Sequence, residues 1–137
     1  QASRLRNKRL YRLLFENSPI GIAVLESEER LLDCNRACAT MLGYSRDELR
    51  DMGIEALVHP EDSEPHGDLA RKAWSDSCGR YNAKKRFIAK DGKIVWVDLL
   101  AVVMKDERDD RFTCIMLQDI TEKKAIEERI VREIQKL

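Results

Sequence analysis

The second half of the chain alternates hydrophobic and polar residues with a period of two, the pattern of strands that bury one face. Three such stretches, residues 80–90, 93–104 and 111–119, predict three long strands. Asp91-Gly92 lies between the first two, and glycine readily adopts the positive φ that a tight hairpin turn requires. The charged segment 105–111 separates the second strand from the third.

The first 34 residues predict one helix and two short strands. Leu10, Leu13 and Leu14 share a face of a helix predicted over residues 4–16, which ends before Pro19 because a proline pushes the preceding residue out of the helical region. Residues 20–27 and 31–34 predict two strands joined by a tight turn at 28–31.

Short helices are predicted between the second and third strands. Asn35 is placed to cap a helix that Gly43 ends, and Ser45 with Glu48 has the spacing of a capping box for the next helix. After short or irregular pieces, residues 68–74 predict an amphipathic helix with Leu69 facing inward.

These elements predict an α+β fold. One five-stranded antiparallel sheet with helices packed on one face is the most economical arrangement of this order of elements. We expect an N-terminal flanking helix over residues 1–17, a central domain over 18–120 and a closing helix over 121–137. The space between the sheet and the helices is the expected place for a ligand pocket.

The composition excludes several classes of partner. The 137 residues include 25 basic and 25 acidic residues, so no overall field attracts nucleic acid or an anionic membrane. No run of about 18 apolar residues predicts a membrane span. We therefore expect no nucleic-acid partner and no direct membrane contact. The chain begins with glutamine rather than methionine, and we expect it to be a piece of a longer protein.

The four cysteines indicate a reducing compartment. Cys34, Cys38, Cys78 and Cys114 match neither a zinc nor a disulfide spacing. Buried thiols in a cytoplasmic protein account for them better.

Five motifs in order resemble the PAS family of sensor domains. The stretches LLFENSPIGIAVLE and DCNRACATMLGYSRDEL are similar to the opening and to the second strand with the first helices. VHPED is similar to the loop before the long helix, KKRFIAKDGKIVWVD to the third and fourth strands, and DITEKK to the junction that ends many such domains. The likeness covers roughly residues 11–124.

The resemblance implies a PAS sensor domain at 18–120 that signals to an effector in the same parent chain, such as a histidine kinase of a two-component system, a cyclic-dinucleotide enzyme or a chemoreceptor. It also implies that the closing helix is a signalling helix that pairs in a homodimer. Ile126, Ile130 and Ile134 form an apolar stripe on it, which is typical of a coiled coil but too short to hold a dimer alone. The alternative is that this helix folds back on the outer face of the sheet.

Further residues are expected at the dimer surface or at the junction. Leu10, Leu13 and Leu14 are expected to cover the outer face of the sheet or the partner subunit, together with Trp96, Leu100, Val102 and Met116. For coupling between the sheet and the closing helix we expect Asp119, Thr121, Arg86 and Trp96, with Asp119 accepting bonds from Arg86 and Thr121 capping the helix.

The expected pocket faces the helices, and the pattern leaves open whether a small molecule or the side chains themselves fill it. Its inward-facing residues are Met41, Leu57, Leu69, Phe87, Val97, Leu99, Ile115 and Leu117.

Flavin is not expected. Flavin-binding members of the family carry a reactive cysteine in a region similar to residues 49–58 and polar residues on the last strands, whereas this region has no cysteine and Val97, Leu99 and Leu117 are apolar.

Two expectations for a cofactor remain, which are that none binds or that haem binds. Haem-binding members use a histidine on the long helix, and His66 falls near that place. Pro65 and Gly67 flank it, which predicts an exposed loop or a helix start.

Catalysis is not expected within these residues. No triad or phosphate-binding loop stands out, and two isolated histidines predict no metal site. The remaining alternative to a sensor is a ligand-free structural module for protein interaction and dimerisation.

Overall fold

The computed structural model describes residues 2–26, 30–75 and 79–137. The helices are α1 (Ala2–Asn17), α2 (Arg36–Leu42), α3 (Arg46–Met52), α4 (Pro60–Ser75) and α5 (Thr121–Gln135), and the strands are β1 (Gly21–Leu25), β2 (Leu31–Cys34), β3 (Arg80–Ile88), β4 (Ile94–Lys105) and β5 (Arg111–Asp119). A 3₁₀ turn spans Glu55–Leu57. Half of the predicted turn at 28–31 lies outside the described residues, as does Cys78.

The five strands form one antiparallel sheet in the order β2-β1-β5-β4-β3. The first and last strands are neighbours in its centre, where Gly21 is paired with Leu117. Helices α2, α3 and α4 pack on one face, which we call the inner face. The predicted α+β fold is confirmed.

Local signals set the ends of the short helices. The Asn35 side chain accepts a hydrogen bond from the Cys38 N–H at 3.0 Å, and Gly43 ends α2 with a φ of 78°. Ser45 and Glu48 form both bonds of the capping box at the start of α3. These caps confirm the predicted starts of α2 and α3.

Helix α4 begins eight residues earlier than the predicted helix. Pro60 occupies its first position, where the missing N–H is not needed, and Glu61 and Asp62 bring negative charge to the first turn. The His59 Nδ1 accepts a hydrogen bond from the Glu61 N–H at 3.1 Å. These contacts start the helix early enough to include Pro65, which removes only one internal hydrogen bond.

The core lies between the inner face and helices α2 to α4. Alternate residues of β3, β4 and β5 point into it, as the period-two pattern predicts. The outer face is only partly covered within the chain. Phe15 of α1 is buried against it, while Leu10, Leu13 and Leu14 are 46%, 60% and 73% exposed. On the sheet itself, Trp96, Leu100, Val102 and Met116 remain half-buried.

Candidate functional site

Most of the predicted pocket residues pack against one another in the core. Leu57, Phe87, Val97, Leu99, Ile115 and Leu117 are each at most 2% exposed and belong to one buried cluster. Met41 packs against the edge of that cluster. Leu69 is half-buried and lies outside it. The inner face is therefore largely filled by its own side chains.

A small cavity lies between α4 and the sheet. Its volume is about 10 Å³, which is enough for about one water molecule. Polar groups reach it from three elements. The cavity is lined by Leu25, His66, Ala70, Ala73, Tyr81, Val103, Thr113 and Ile115.

His66 does not lie in an exposed loop, and that prediction is wrong. It lies within α4 and is 5% exposed, because the helix starts at Pro60 and turns this side chain toward the sheet. Its Nδ1 lies 2.6 Å from the Nζ of Lys85. Lys85 is 4% exposed and its Nζ lies 5.2 Å from the centre of the Tyr81 ring. A buried polar pair thus joins α4 to β3.

Burial shifts the pKa values of Lys85, a member of this pair, and of the neighbouring Tyr81. The pKa of Lys85 is lowered to about 8 because burial penalises the ammonium form, and the nearby Asp62 opposes this shift. Burial also raises the pKa of Tyr81 to about 12. The lysine is therefore poised to titrate near neutral pH, while the tyrosine stays protonated.

The surroundings of His66 do not fit haem. A cofactor of that size needs a pocket of several hundred Å³, whereas the cavity beside His66 has about 10 Å³. The Nδ1 of His66 also faces the Lys85 amine, a cationic neighbour for a metal ligand.

A second contact between α4 and β3 lies toward the surface. Asp62 accepts hydrogen bonds from the Arg86 backbone N–H at 2.8 Å, from its Nε at 3.1 Å and from its guanidinium NH2 at 2.8 Å. Glu61 accepts a further bond from Arg86 at 3.0 Å. The guanidinium holds the pKa of Asp62 below its usual range.

The predicted bond between Asp119 and Arg86 is therefore wrong. Arg86 lies on the edge strand β3, where the acidic first turn of α4 reaches it, whereas Asp119 lies two strands away on β5. Asp119 instead accepts bonds from the backbone N–H and the hydroxyl of Thr121, at 2.9 and 2.6 Å.

Thr121 joins the start of α5 to β4 instead of capping the helix. It is the first residue of α5, and its hydroxyl oxygen accepts a hydrogen bond from the Trp96 N–H at 3.0 Å. The Ile120 N–H donates to the Trp96 carbonyl at 2.8 Å. Two backbone groups of one β4 residue therefore hold the junction between β5 and α5.

The Trp96 ring lies between two cations on the outer face. The Arg86 Cζ is 5.4 Å from the ring centre and the Lys124 Nζ is 4.8 Å from it. Both distances are within the range of cation–π attraction. A continuous series of contacts thus runs from Asp62 on α4 through Arg86 and Trp96 to Lys124 on α5.

Asn35 is a buried polar residue whose role exceeds the predicted cap. Its Oδ1 accepts from the N–H groups of Ile22 and Cys38, and its Nδ2 donates to the carbonyls of Phe15 and Ile20. The side chain is completely buried. The capping signal identified the Cys38 bond, whereas the other three partners lie 13 to 20 residues earlier in the chain.

The terminal helices expose their apolar residues. Ile126, Ile130 and Ile134 of α5 are 52%, 53% and 62% exposed. In the described residues, α5 contacts the sheet mainly near its start on β4. The stripe therefore does not fold back on the outer face.

Two further findings concern the described parts of the chain. Among residues 2–26, 30–75 and 79–137, no three histidine, cysteine or acidic side chains come together as a metal site. In those same residues, no helix is long and apolar enough to cross a membrane.

Comparison with known proteins gives the family and its class. The model of the PAS fold family matches residues 31–116, so this chain belongs to the PAS family. It is 32% identical over 120 residues to the probable diguanylate cyclase DgcE of Escherichia coli K12, and 24% identical over 121 residues to the sensor histidine kinase TmoS of Ectopseudomonas mendocina. The matches cover 86% and 88% of this chain but only 11% and 12% of those proteins.

Solved structures share the fold. The PAS domain of a protein from Colwellia psychrerythraea superposes with a TM-score of 0.74 at 23% identity, over 86% of this chain and 98% of that one. The relatives carry such a domain within much longer signalling proteins. The chain is accordingly a sensory module of the kind found in larger signalling proteins.

Proposed function

We propose that this domain acts as a homodimer that relays the state of its sheet to an effector domain through α5. The observation that carries the proposal is the junction, where Thr121 and Ile120 bond to both backbone groups of Trp96. Any shift of β4 against β5 moves the first turn of α5 directly. The relatives' names indicate the kinds of effector, a diguanylate cyclase or a histidine kinase.

Exposed apolar surface supports the dimer. A groove of about 600 Å³ lies between α1 and the outer face, lined by Tyr11, Leu14, Phe15, Ser18, Ile22, Val24, Met104, Phe112 and Cys114. A stable dimer buries about 1,200–2,000 Å² in total, more than the short stripe of α5 supplies alone. We place α1 of the second copy in this groove, with the α5 stripes pairing beyond it.

The proposed module is non-catalytic and cytoplasmic. Catalysis would belong to the effector, since the described residues bring together buried polar groups that hold the fold and the junction. Cys34 and Cys38 are free, buried thiols, as expected in a reducing compartment.

The filled inner face favours a second candidate, a dimerisation module that takes no small-molecule ligand. Its pocket residues are buried against one another, and the one cavity described there holds about one water molecule. In this case the state that α5 relays would be set by a partner or by the titratable groups of the domain itself.

The test is the mass of the chain in solution, measured by light scattering over a dilution series. We expect a dimer that Leu14→Glu and Ile130→Glu each dissociate without loss of helical signal. The matched controls Asn7→Glu and Gln135→Glu add the same charge at polar positions of α1 and α5 and should leave the dimer intact. A wild-type chain that stays monomeric at tens of micromolar would contradict the proposal.

A further inference from the structure

Two contacts join α4 to β3, and they differ in burial. Asp62 and His66 lie four residues apart on one side of α4, and Lys85 and Arg86 are neighbours on β3 that point to opposite faces of the sheet. The Asp62–Arg86 contact lies near the surface, whereas the His66–Lys85 contact is buried. The same two elements are thus held by one permanent ion pair and by one pair that can titrate.

The buried pair accommodates one positive charge at most. The Lys85 Nζ lies 2.6 Å from the His66 Nδ1, and because an ammonium can only donate, a charged Lys85 needs that ring nitrogen as its acceptor. Two cations at this distance in a dry interior would repel strongly. Gain of one proton therefore creates a charge-assisted hydrogen bond between α4 and β3, and its loss leaves a weaker bond between two neutral groups.

Among the described residues, little compensating charge faces the Lys85 amine. From α4 the facing charged group is Asp62, whose oxygens accept hydrogen bonds from Arg86, and from β3 the facing titratable group is Tyr81, which is neutral. The residue paired with Lys85 on β4 is Val97, which is apolar and fully buried. The low pKa of Lys85, about 8, agrees with this setting.

We propose that the His66–Lys85 pair is a proton site, and that a change between neutral and mildly alkaline pH is a stimulus which this domain senses. The inference rests on the sensory function proposed above and names its stimulus. Proton release replaces the charge-assisted contact between α4 and β3 by one between neutral groups and so changes the inner contact. The outer contact then carries the change from Asp62 through Arg86 to Trp96, whose backbone holds the start of α5.

The first test follows the lysine itself. In a uniformly ¹³C-labelled chain, the Cε–Hε resonances of Lys85, assigned by their loss in Lys85→Met, should titrate with a midpoint near pH 8. The exposed lysines should titrate near 10.4. In His66→Leu the ammonium loses its acceptor, and the midpoint should fall by about one unit or more. A Lys85 midpoint above 10 in the wild-type chain would overturn the proton site.

The second test follows the junction. In the Trp74→Phe chain, Trp96 is the single tryptophan, and its fluorescence should change with the same midpoint as Lys85. Lys85→Met should abolish that change, whereas Lys84→Met, the same substitution at the exposed neighbour, should retain it. A Trp96 signal that ignores the titration of Lys85, or that survives Lys85→Met, would overturn the sensing role. Failure of the dimer is detected separately, because the dilution series is run at one pH.

Discussion

Asn35 at one end of the sheet and Lys85 at the other are both buried polar side chains, and the two are held differently. At the β1–β2 end, the neutral amide of Asn35 has all its donors and acceptors paired with α1, β1 and α2. At the β3 end, His66 is the one hydrogen-bond acceptor of the Lys85 amine among the described residues. A fully paired amide stabilises one arrangement over the whole pH range, whereas a buried amine depends on its proton.

Asn35 and Lys85 also differ in how they are connected to the signalling helix α5. The partners of Asn35 belong to the part of the domain farthest along the sheet from β3. Arg86, next to Lys85, contacts both α4 and Trp96, and Trp96 holds the start of α5. The contacts that can change therefore lie at the end of the sheet that is connected to the signalling helix.

The largest effect on stability is expected at the β1–β2 end of the sheet, where Asn35 is buried. Asn35→Ala leaves two N–H groups and two carbonyls without their partner, which should lower the free energy of unfolding by about 3–5 kcal/mol. Asn82→Ala is the control, because Asn82 is exposed and its loss should cost less than 1 kcal/mol. Urea titration followed by circular dichroism measures both. Equal effects of the two substitutions would contradict the role given to Asn35.

A glycine at the other end tests how tightly α4 meets β3. A Cβ on Gly79 would clash with the backbone carbonyl of Ala73, so Gly79→Ala forces the end of α4 away from the strand. We expect a loss of about 2–3 kcal/mol in urea unfolding. Gly92→Ala meets no atom within 4 Å and strains only a φ of 86°, so it should cost about 1 kcal/mol.

Lys85→Met should stabilise the domain at neutral pH by about 1–2 kcal/mol, since it removes a buried charge at the cost of the contact with His66. The folded-state pKa of about 8 lies below the ordinary 10.5, so the unfolded chain binds more protons between these values. Wild-type stability should therefore rise from pH 8 to 10.5, and the advantage of the variant should shrink over that window. Thermal unfolding at a series of pH values measures the difference in stability between wild type and variant. A gain in stability of Lys85→Met that does not depend on pH would contradict this account. The control Lys84→Met should show no gain in stability.

The smallest effect belongs to the outer contact. Because Arg86 lowers the pKa of Asp62, the carboxylate stabilises the fold at neutral pH, and this contribution is lost as acid protonates it below its usual pKa. Asp62→Asn should cost roughly 0.5–1 kcal/mol at pH 7, and wild type and variant should converge toward pH 2. Thermal unfolding at the two pH values decides it. A difference that persists in acid would show a role other than charge.

Local signals in the sequence predict much of this fold. Period-two alternation located β3, β4 and β5, and the caps at Asn35 and Ser45 placed α2 and α3 within a residue. Such signals act over a few residues, so they are visible without tertiary structure. The resemblance to the PAS family was also confirmed. Its motifs are local signals of the same kind, and they cover these elements in order.

The candidate site was harder to predict because its contacts join distant segments. The partners in His66–Lys85 and Asp62–Arg86 are separated by 19 and 24 residues. The alternation that placed Phe87 inward also places Lys85 inward, which was the available signal for a buried lysine. For His66, the prolines suggested a loop, and only the early start of α4 at Pro60 shows why the ring faces the sheet.

The most direct test of the contrast between the two ends is a pH titration of methyl resonances from pH 6.5 to 9.5. We expect the methyl groups of Ala73 and Val97, on α4 and opposite Lys85, to shift with a common midpoint near pH 8. Those of Leu31 and Leu42, near Asn35, should stay unchanged. Shifts of equal size at both ends, or none beside Lys85, would contradict the assignment of a fixed end and a titratable end to this sheet.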